Sequence, residues 1–210
     1  MEGFFAETDV LIVVDPQVDF CPGGALAVPR GDEVIPVINR LARQAPHVVA
    51  TQDWHPSGHA SFASLHPGRS PFTTIEMPYG EQTLWPDHCV QGTPGAAFHP
   101  ALELPQTELI LRKGYRAGID SYSAFYENDR HTPTGLAGYL REREFARLLI
   151  CGLATDFCVF FSAVDARTAG FEVAVALDAC RAIDLEGSLD RALAAMREAG
   201  VSLLSAAMSP

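Results

Sequence analysis

No run of apolar residues in this 210-residue chain approaches the roughly 18 that cross a bilayer. The opening MEGFFAETD has neither a basic start nor a long apolar stretch, so it does not read as a secretory signal. Positive charge is in short supply. Lys and Arg number 15 against 26 Asp and Glu, the formal net charge is -11, and no basic stripe occurs. Nucleic acid and anionic membrane surfaces are therefore excluded as expected partners. Cysteine is sparse and odd in number. Cys21, Cys89, Cys151, Cys158 and Cys180 form no CxxC pair, which argues against a disulfide framework and for a reducing, cytoplasmic setting. There is also no internal repeat and no low-complexity tract.

What is present fits a globular domain. Hydrophobic residues make up 48% of the chain and charged ones 20%, and the length allows one domain with a substantial core. Short apolar runs alternate with amphipathic stretches. Strands are expected at Val10–Val14, His47–Thr51, Leu109–Leu111, Leu148–Cys151 (ended by Gly152), Val173–Leu177 and Val201–Leu204. Helices are expected at Asp32–Arg43, around Leu136–Leu140, at Thr155–Thr168 and at Ser188–Glu198. This βαβ progression predicts an α/β fold, a parallel sheet sandwiched by helices. Trp54 to Gln106 breaks the rhythm. It shows no helix or strand period, yet holds 8 of the 15 prolines and 5 of the 7 histidines. A loop this long inside a compact domain is often functional.

In open α/β sheets ligands bind beyond the carboxyl ends of the strands. Asp15, Asp53, Lys113 and Cys158 all fall at or just after expected strand ends, so one edge of the sheet gathers two acids, a base and a thiol. Cys158 lies early in a helix, in GLATDFCV, where the helix N-terminus and a cation such as Lys113 favour a thiolate. A buried structural cysteine is the commoner fate of any one cysteine. That reading is assigned to Cys151 and Cys180 and leaned to for Cys21 and Cys89. A carboxylate beside a thiol can take its proton and return it to a leaving amine, which suits Asp15. Lys113, otherwise a solvated surface cation, offsets like charge there and stabilises an oxyanion.

Asp53, His55, His59 and His88 form a second constellation. Imidazole plus carboxylate suits zinc, iron or manganese. An Asp-x-His pair alone is weak, and loop histidines are commonly plain surface residues. Two such pieces beside a candidate thiol favour a metal site. His47, His66, His99 and His131 receive no role. Phe20, Trp54, Trp85 and Tyr122 lie near these motifs. They suit packing under the loop or a slot for a flat ring.

With those residues in view, the chain resembles the nicotinamidase branch of the isochorismatase-like cysteine hydrolases from about Val10 to about Leu204. DPQVDF, TQDWHPSGHASF, WPDHCVQGTPGA, KGYRAGIDSYSAF and GLATDFCV look like that family's blocks, in its order. The resemblance implies a three-layer α/β/α fold with a six-stranded parallel sheet. Residues 1–210 are then one domain, with a metal-binding loop region at about 54–107. It implies Asp15, Lys113 and Cys158 as catalytic residues and the backbone N–H groups of Ala154 and Cys158 as an oxyanion hole. It implies a cis Leu153–Ala154 peptide, and Phe20, Trp85 and Tyr122 around a pyridine ring. One divalent ion, zinc first with iron or manganese as alternatives, is expected on Asp53, His55 and His88, with His59 as a further or alternative ligand. The implied reaction is hydrolysis of nicotinamide to nicotinate and ammonia in NAD salvage, with pyrazinamide as a further substrate. A homo-oligomer is compatible with the resemblance. Two other readings stand beside it. One is a related hydrolase acting on isochorismate, N-carbamoylsarcosine or a ureido compound, which has no need of the metal set. The other is a non-catalytic metal-binding module, which has no need of Asp15, Lys113 and Cys158 together.

Overall fold

The computed structural model describes residues 5–205. In chain order the principal elements are β1 (Asp9–Val14), α1 (Val34–Ala42), β2 (His47–Asp53), β3 (Thr74–Met77), β4 (Gly80–Thr83), β5 (Thr107–Lys113), α2 (Leu136–Glu142), β6 (Arg147–Leu153), α3 (Phe160–Thr168), β7 (Glu172–Arg181), α4 (Ser188–Glu198) and β8 (Ser202–Leu204). Six strands form one sheet in the order β5-β2-β1-β6-β7-β8, with every neighbouring pair parallel. Every residue of β1 is buried, as are Leu148 to Leu153 of β6. A strand buried at successive positions is covered on both faces, which is why these runs are apolar without alternation. Helices flank the sheet, with α1 packed on β1, β6 and β7 and α3 on β7 and α4. Among the described residues no helix is long and apolar enough to cross a membrane.

From β1 the chain moves outward to β2 and β5, then returns to place β6 on the other side of β1. The strand order therefore reverses between β1 and β6, the position where such sheets open a crevice. β1 stops there because Asp15 takes a left-handed φ of 48° and Pro16 has no N–H to continue a ladder.

Three expectations change. Gly152 does not end its strand, since β6 runs on to Leu153. Its role is close approach: a Cβ on Gly152, whose φ is +121°, would lie 2.0 Å from the Val14 carbonyl oxygen. The helix expected from Thr155 opens instead as one wide π turn over Thr155–Val159 before α3 begins. The long loop region is not without secondary structure either, because β3 and β4 pair there as a small antiparallel hairpin.

Candidate active site

Sheet register assembles the centre. Asp53 and Lys113 are paired residues at the ends of β2 and β5, and Val14, just before Asp15, pairs with Gly152 of β6. The π turn after β6 brings Cys158 back over the switch point. Lys113 is buried at the middle of this group. Its Nζ donates to Asp53 Oδ1 at 2.6 Å, to the Ser121 carbonyl at 2.9 Å and to Cys158 Sγ at 3.4 Å. An ammonium has three hydrogens to share among these partners and Asp15. Asp15 Oδ2 lies 2.8 Å from the same Nζ, a buried ion pair at hydrogen-bond distance. Its other oxygen, Oδ1, accepts from Thr51 Oγ1 at 2.5 Å. Asp15, Asp53 and Cys158 each place a polar atom within 4.8 Å of the others.

The electrostatics follow from that packing. Burial disfavours the Lys113 ammonium, but the Asp15 and Asp53 carboxylates outweigh it and hold its pKa well above the lysine range. Burial pushes Asp53 up, and Lys113 and then His55 pull it well below the usual carboxylate value. For Asp15 burial prevails over Lys113 and the pKa is raised. Burial also drives the Cys158 thiol well above its ordinary value; Lys113 opposes this, while Asp15, Asp53 and Asp120 add to it. This corrects the expectation that helix position and Lys113 would favour a thiolate. Burial and the three acids act against the thiolate at Cys158.

The metal donors converge one step away. His55 Nδ1 lies 2.9 Å from the Gly114 carbonyl and His88 Nδ1 2.8 Å from the Pro86 carbonyl. Each ring therefore donates from Nδ1 and turns a bare Nε2 inward. Those two Nε2 atoms stand 3.5 and 3.7 Å from Asp53 Oδ2. These gaps are long for hydrogen bonds. They match the roughly 3.4 Å between two donors each ~2.1 Å from one tetrahedral ion. The donor set fits a divalent cation, with Asp53 Oδ1 tied to Lys113 and Oδ2 free. Backbone pairing brings the pieces together: His55 N–H donates to Cys89 and Gln91 N–H donates to His55, which sets His88 beside His55. Gly114 lies so close to His55 that an added Cβ would be 2.5 Å from the ring.

His59 stands apart from that set. Its Nδ1 is 2.7 Å from Ser61 Oγ and its Nε2 3.1 Å from the Ile119 carbonyl. It clusters instead with His55 and Asp120. The Leu153–Ala154 peptide is cis. A narrow cleft opens over Cys158, with Asp53, His88 and Asp120 as its polar lining and Phe20, Trp85, Tyr122, Phe157 and Ile183 among its apolar lining. Trp54 is elsewhere, stacked 3.7 Å from the Arg112 guanidinium. The sequence reading missed Asp120, Phe157, Ile183, Thr51 and Gln17. Phe157 and Asp120 sit inside quoted blocks, beside Cys158 and two residues before Tyr122. Ile183 had no signal, because its place depends on Asp156 accepting the Ile183 N–H at 3.0 Å.

A model of the isochorismatase domain matches residues 9–208. The chain belongs to the isochorismatase family. It is similar to the nicotinamidase of Acinetobacter baylyi, 56% identical over 200 residues that span 95% of this chain and 94% of that one. Among solved structures it is similar to the Acinetobacter baumanii nicotinamidase/pyrazinamidase (TM-score 0.94, 53% identity, 95% of this chain and 97% of that one). It is also similar to the pyrazinamidase of Pyrococcus horikoshii in complex with zinc (TM-score 0.76, 38% identity, 94% of this chain and 99% of that one).

Proposed function

We propose that the chain is a metal-dependent amidohydrolase that converts nicotinamide to nicotinate and ammonia, with pyrazinamide as a further substrate. The observation that carries this reading is the convergence of the Cys158 thiol, the buried Asp15 carboxylate and the buried Lys113 ammonium beside a cleft that Cys158 lines together with the metal donors Asp53 and His88. Asp15 takes the thiol proton as Cys158 Sγ attacks the carboxamide carbon. The N–H groups of Ala154 and Cys158, helped by Lys113, hold the tetrahedral oxyanion. Asp15 then passes the proton to the departing nitrogen, the C–N bond breaks, and ammonia leaves. Asp15 takes one proton as water adds to the thioester carbon, the C–S bond breaks, that proton passes to sulfur, and the acid leaves and gives its remaining proton to ammonia in solution, becoming nicotinate. Phe20, Trp85 and Tyr122 hold the flat ring. Asp53, His55 and His88 would hold a divalent ion, zinc in this reading. Bound there, such an ion would supply Lewis acidity to the substrate in the cleft. The product then feeds NAD salvage.

The test is ammonia release from nicotinamide by metal-replete protein, by chelator-treated protein and by a Cys158→Ala variant. The expected outcome is turnover that the chelator removes and zinc restores, and that Cys158→Ala lowers by about 10⁴-fold or more. No turnover by metal-replete protein would overturn nicotinamide as the substrate and leave another amide or ureido compound of the same hydrolase family.

A further inference from the structure

The hairpin formed by β3 and β4 carries a residue that the chemistry above does not use. Gln82, on β4, is fully buried. A primary amide in an apolar interior is costly unless its donors and acceptors are met, so an aliphatic side chain would be the simpler occupant of a packing position. Here every polar atom is engaged. The two Nε2 hydrogens face three acceptors, Asp120 Oδ2 at 2.9 Å, Tyr122 Oη at 2.8 Å and the Thr83 carbonyl at 2.7 Å. Oε1 accepts from Asn128 Nδ2 at 3.0 Å and Tyr79 Oη at 3.2 Å. Tyr122 Oη also accepts from Trp85 Nε1 at 3.1 Å, and the two rings meet edge to face with centroids 6.2 Å apart. Asn128 in turn accepts the Tyr122 N–H at 3.0 Å.

We infer that Gln82 is a positioning residue that fixes the Trp85–Tyr122–Asp120 wall of the cleft and so sets which flat aromatic amides the enzyme admits. The inference rests on the proposed amidase reading. Gln82 is bonded to two of the cleft-lining residues and, through Tyr122, to a third. It has no hydrogen bond to Asp15, Lys113 or Cys158. Loss of the amide frees the Tyr122 hydroxyl to turn, removes one partner from Asp120 and loosens the edge-to-face pair, which widens the slot without moving the nucleophile.

The experiment compares zinc-loaded wild type, Gln82→Met and Gln82→Glu on nicotinamide and on quinoline-3-carboxamide, which adds one fused ring. Met keeps the approximate length and loses the amide. Glu keeps an acceptor for Asn128 and Tyr79 but turns an oxygen towards Asp120. Expected for both is a KM for nicotinamide raised about tenfold, a kcat within about twofold, and a preference for nicotinamide over the larger amide that falls about tenfold. Folding is checked by the thermal transition. A folded variant with KM and preference unchanged would overturn the inference. So would an equal fall in kcat for both amides with KM unchanged, the signature of general structural damage. If neither Gln82 variant folds, Tyr122→Phe removes the hydroxyl that the amide holds and keeps both rings. It must then show the same rise in KM and loss of preference, and unchanged values would overturn the inference. Failure of the wild type to turn over nicotinamide overturns the amidase reading and this inference together, whereas normal wild-type turnover with unchanged variants overturns this inference alone.

Discussion

Asp15 and Asp53 bracket the same ammonium yet are set up for different work. Lys113 and then His55 hold Asp53 ionised against its burial, while for Asp15, paired to the same ammonium, burial prevails and pushes the carboxyl up. Removing the carboxylate charge should therefore have different consequences at the two positions. Asp15→Asn should lower kcat by about 10²–10⁴-fold and leave zinc stoichiometry intact. Asp53→Ala should lose the metal. Metal analysis beside turnover separates them, and loss of zinc from Asp15→Asn would remove it from the role of base. Gly114 offers a test of ring placement. With φ of +65° and the His55 ring 2.5 Å from a built Cβ, Gly114→Ala must shift His55. Zinc affinity measured by chelator competition should fall about 10–100-fold. At this scale the clustering of Asp15, Asp53, Lys113 and Cys158 was legible, because each falls at or just after a strand end and parallel strands end together. Thr51, Gln17 and Asp120 were not. Their importance lies in hydrogen bonds to residues dozens of positions away, and Thr, Gln and Asp carry no local mark of that.

Elements explain how such distant groups are held to ångström tolerances. The turn after β1 does more than end a strand. Gln17 accepts the Asp53 N–H with Oε1 and donates to the Asp53 carbonyl with Nε2, both at 2.8 Å, while Asp19 Oδ2 accepts the Cys89 N–H at 2.7 Å, next to His88. One short segment thus grips both pieces of chain that bear the metal donors. On the other side of β1, Gly152 lets β6 run close enough for the following π turn to reach the crevice. Gly152→Ala puts a Cβ 2.0 Å from the Val14 carbonyl at a φ that Ala rarely adopts. It should cost about 3 kcal/mol of stability in urea unfolding. An unchanged midpoint would mean that the strands separate freely, contrary to the packed sheet. The continuous apolar strands were readable, since burial on both faces leaves no polar alternation to confuse them. The β3–β4 hairpin was not. Its strands have only four residues each, and β4 is glycine followed by polar residues, so the brief alternation of Thr74–Met77 does not rise above the surrounding loop.

At the scale of the molecule, a chain with net charge -11 gains little from isolated surface ion pairs but depends on where its acids are held by arginines. Glu33 joins regions far apart in sequence. Arg30 Nε donates to its Oε1 at 2.7 Å, and an Arg181 guanidinium nitrogen donates to Oε2 at 2.9 Å, which ties the turn before α1 to the end of β7. Hydrogen bonds from Arg30 and then Arg181 lower the Glu33 pKa from 4.5 to about 2. A carboxylate depressed in the folded state adds stability that is fully present above its unfolded pKa and fades as pH falls through the folded one. The thermal midpoint of wild type should therefore exceed that of Glu33→Gln by a small, constant margin from pH 7 down to about 5. The margin should close between about pH 4.5 and pH 2, and it should shrink with added salt, because the group is open to solvent. Comparing the two proteins at each pH cancels the titration of every other acid. A margin that persisted unchanged into acid would show that Glu33 acts through shape rather than charge, and the link between α1 and β7 would then have to be sought in the apolar contacts between them.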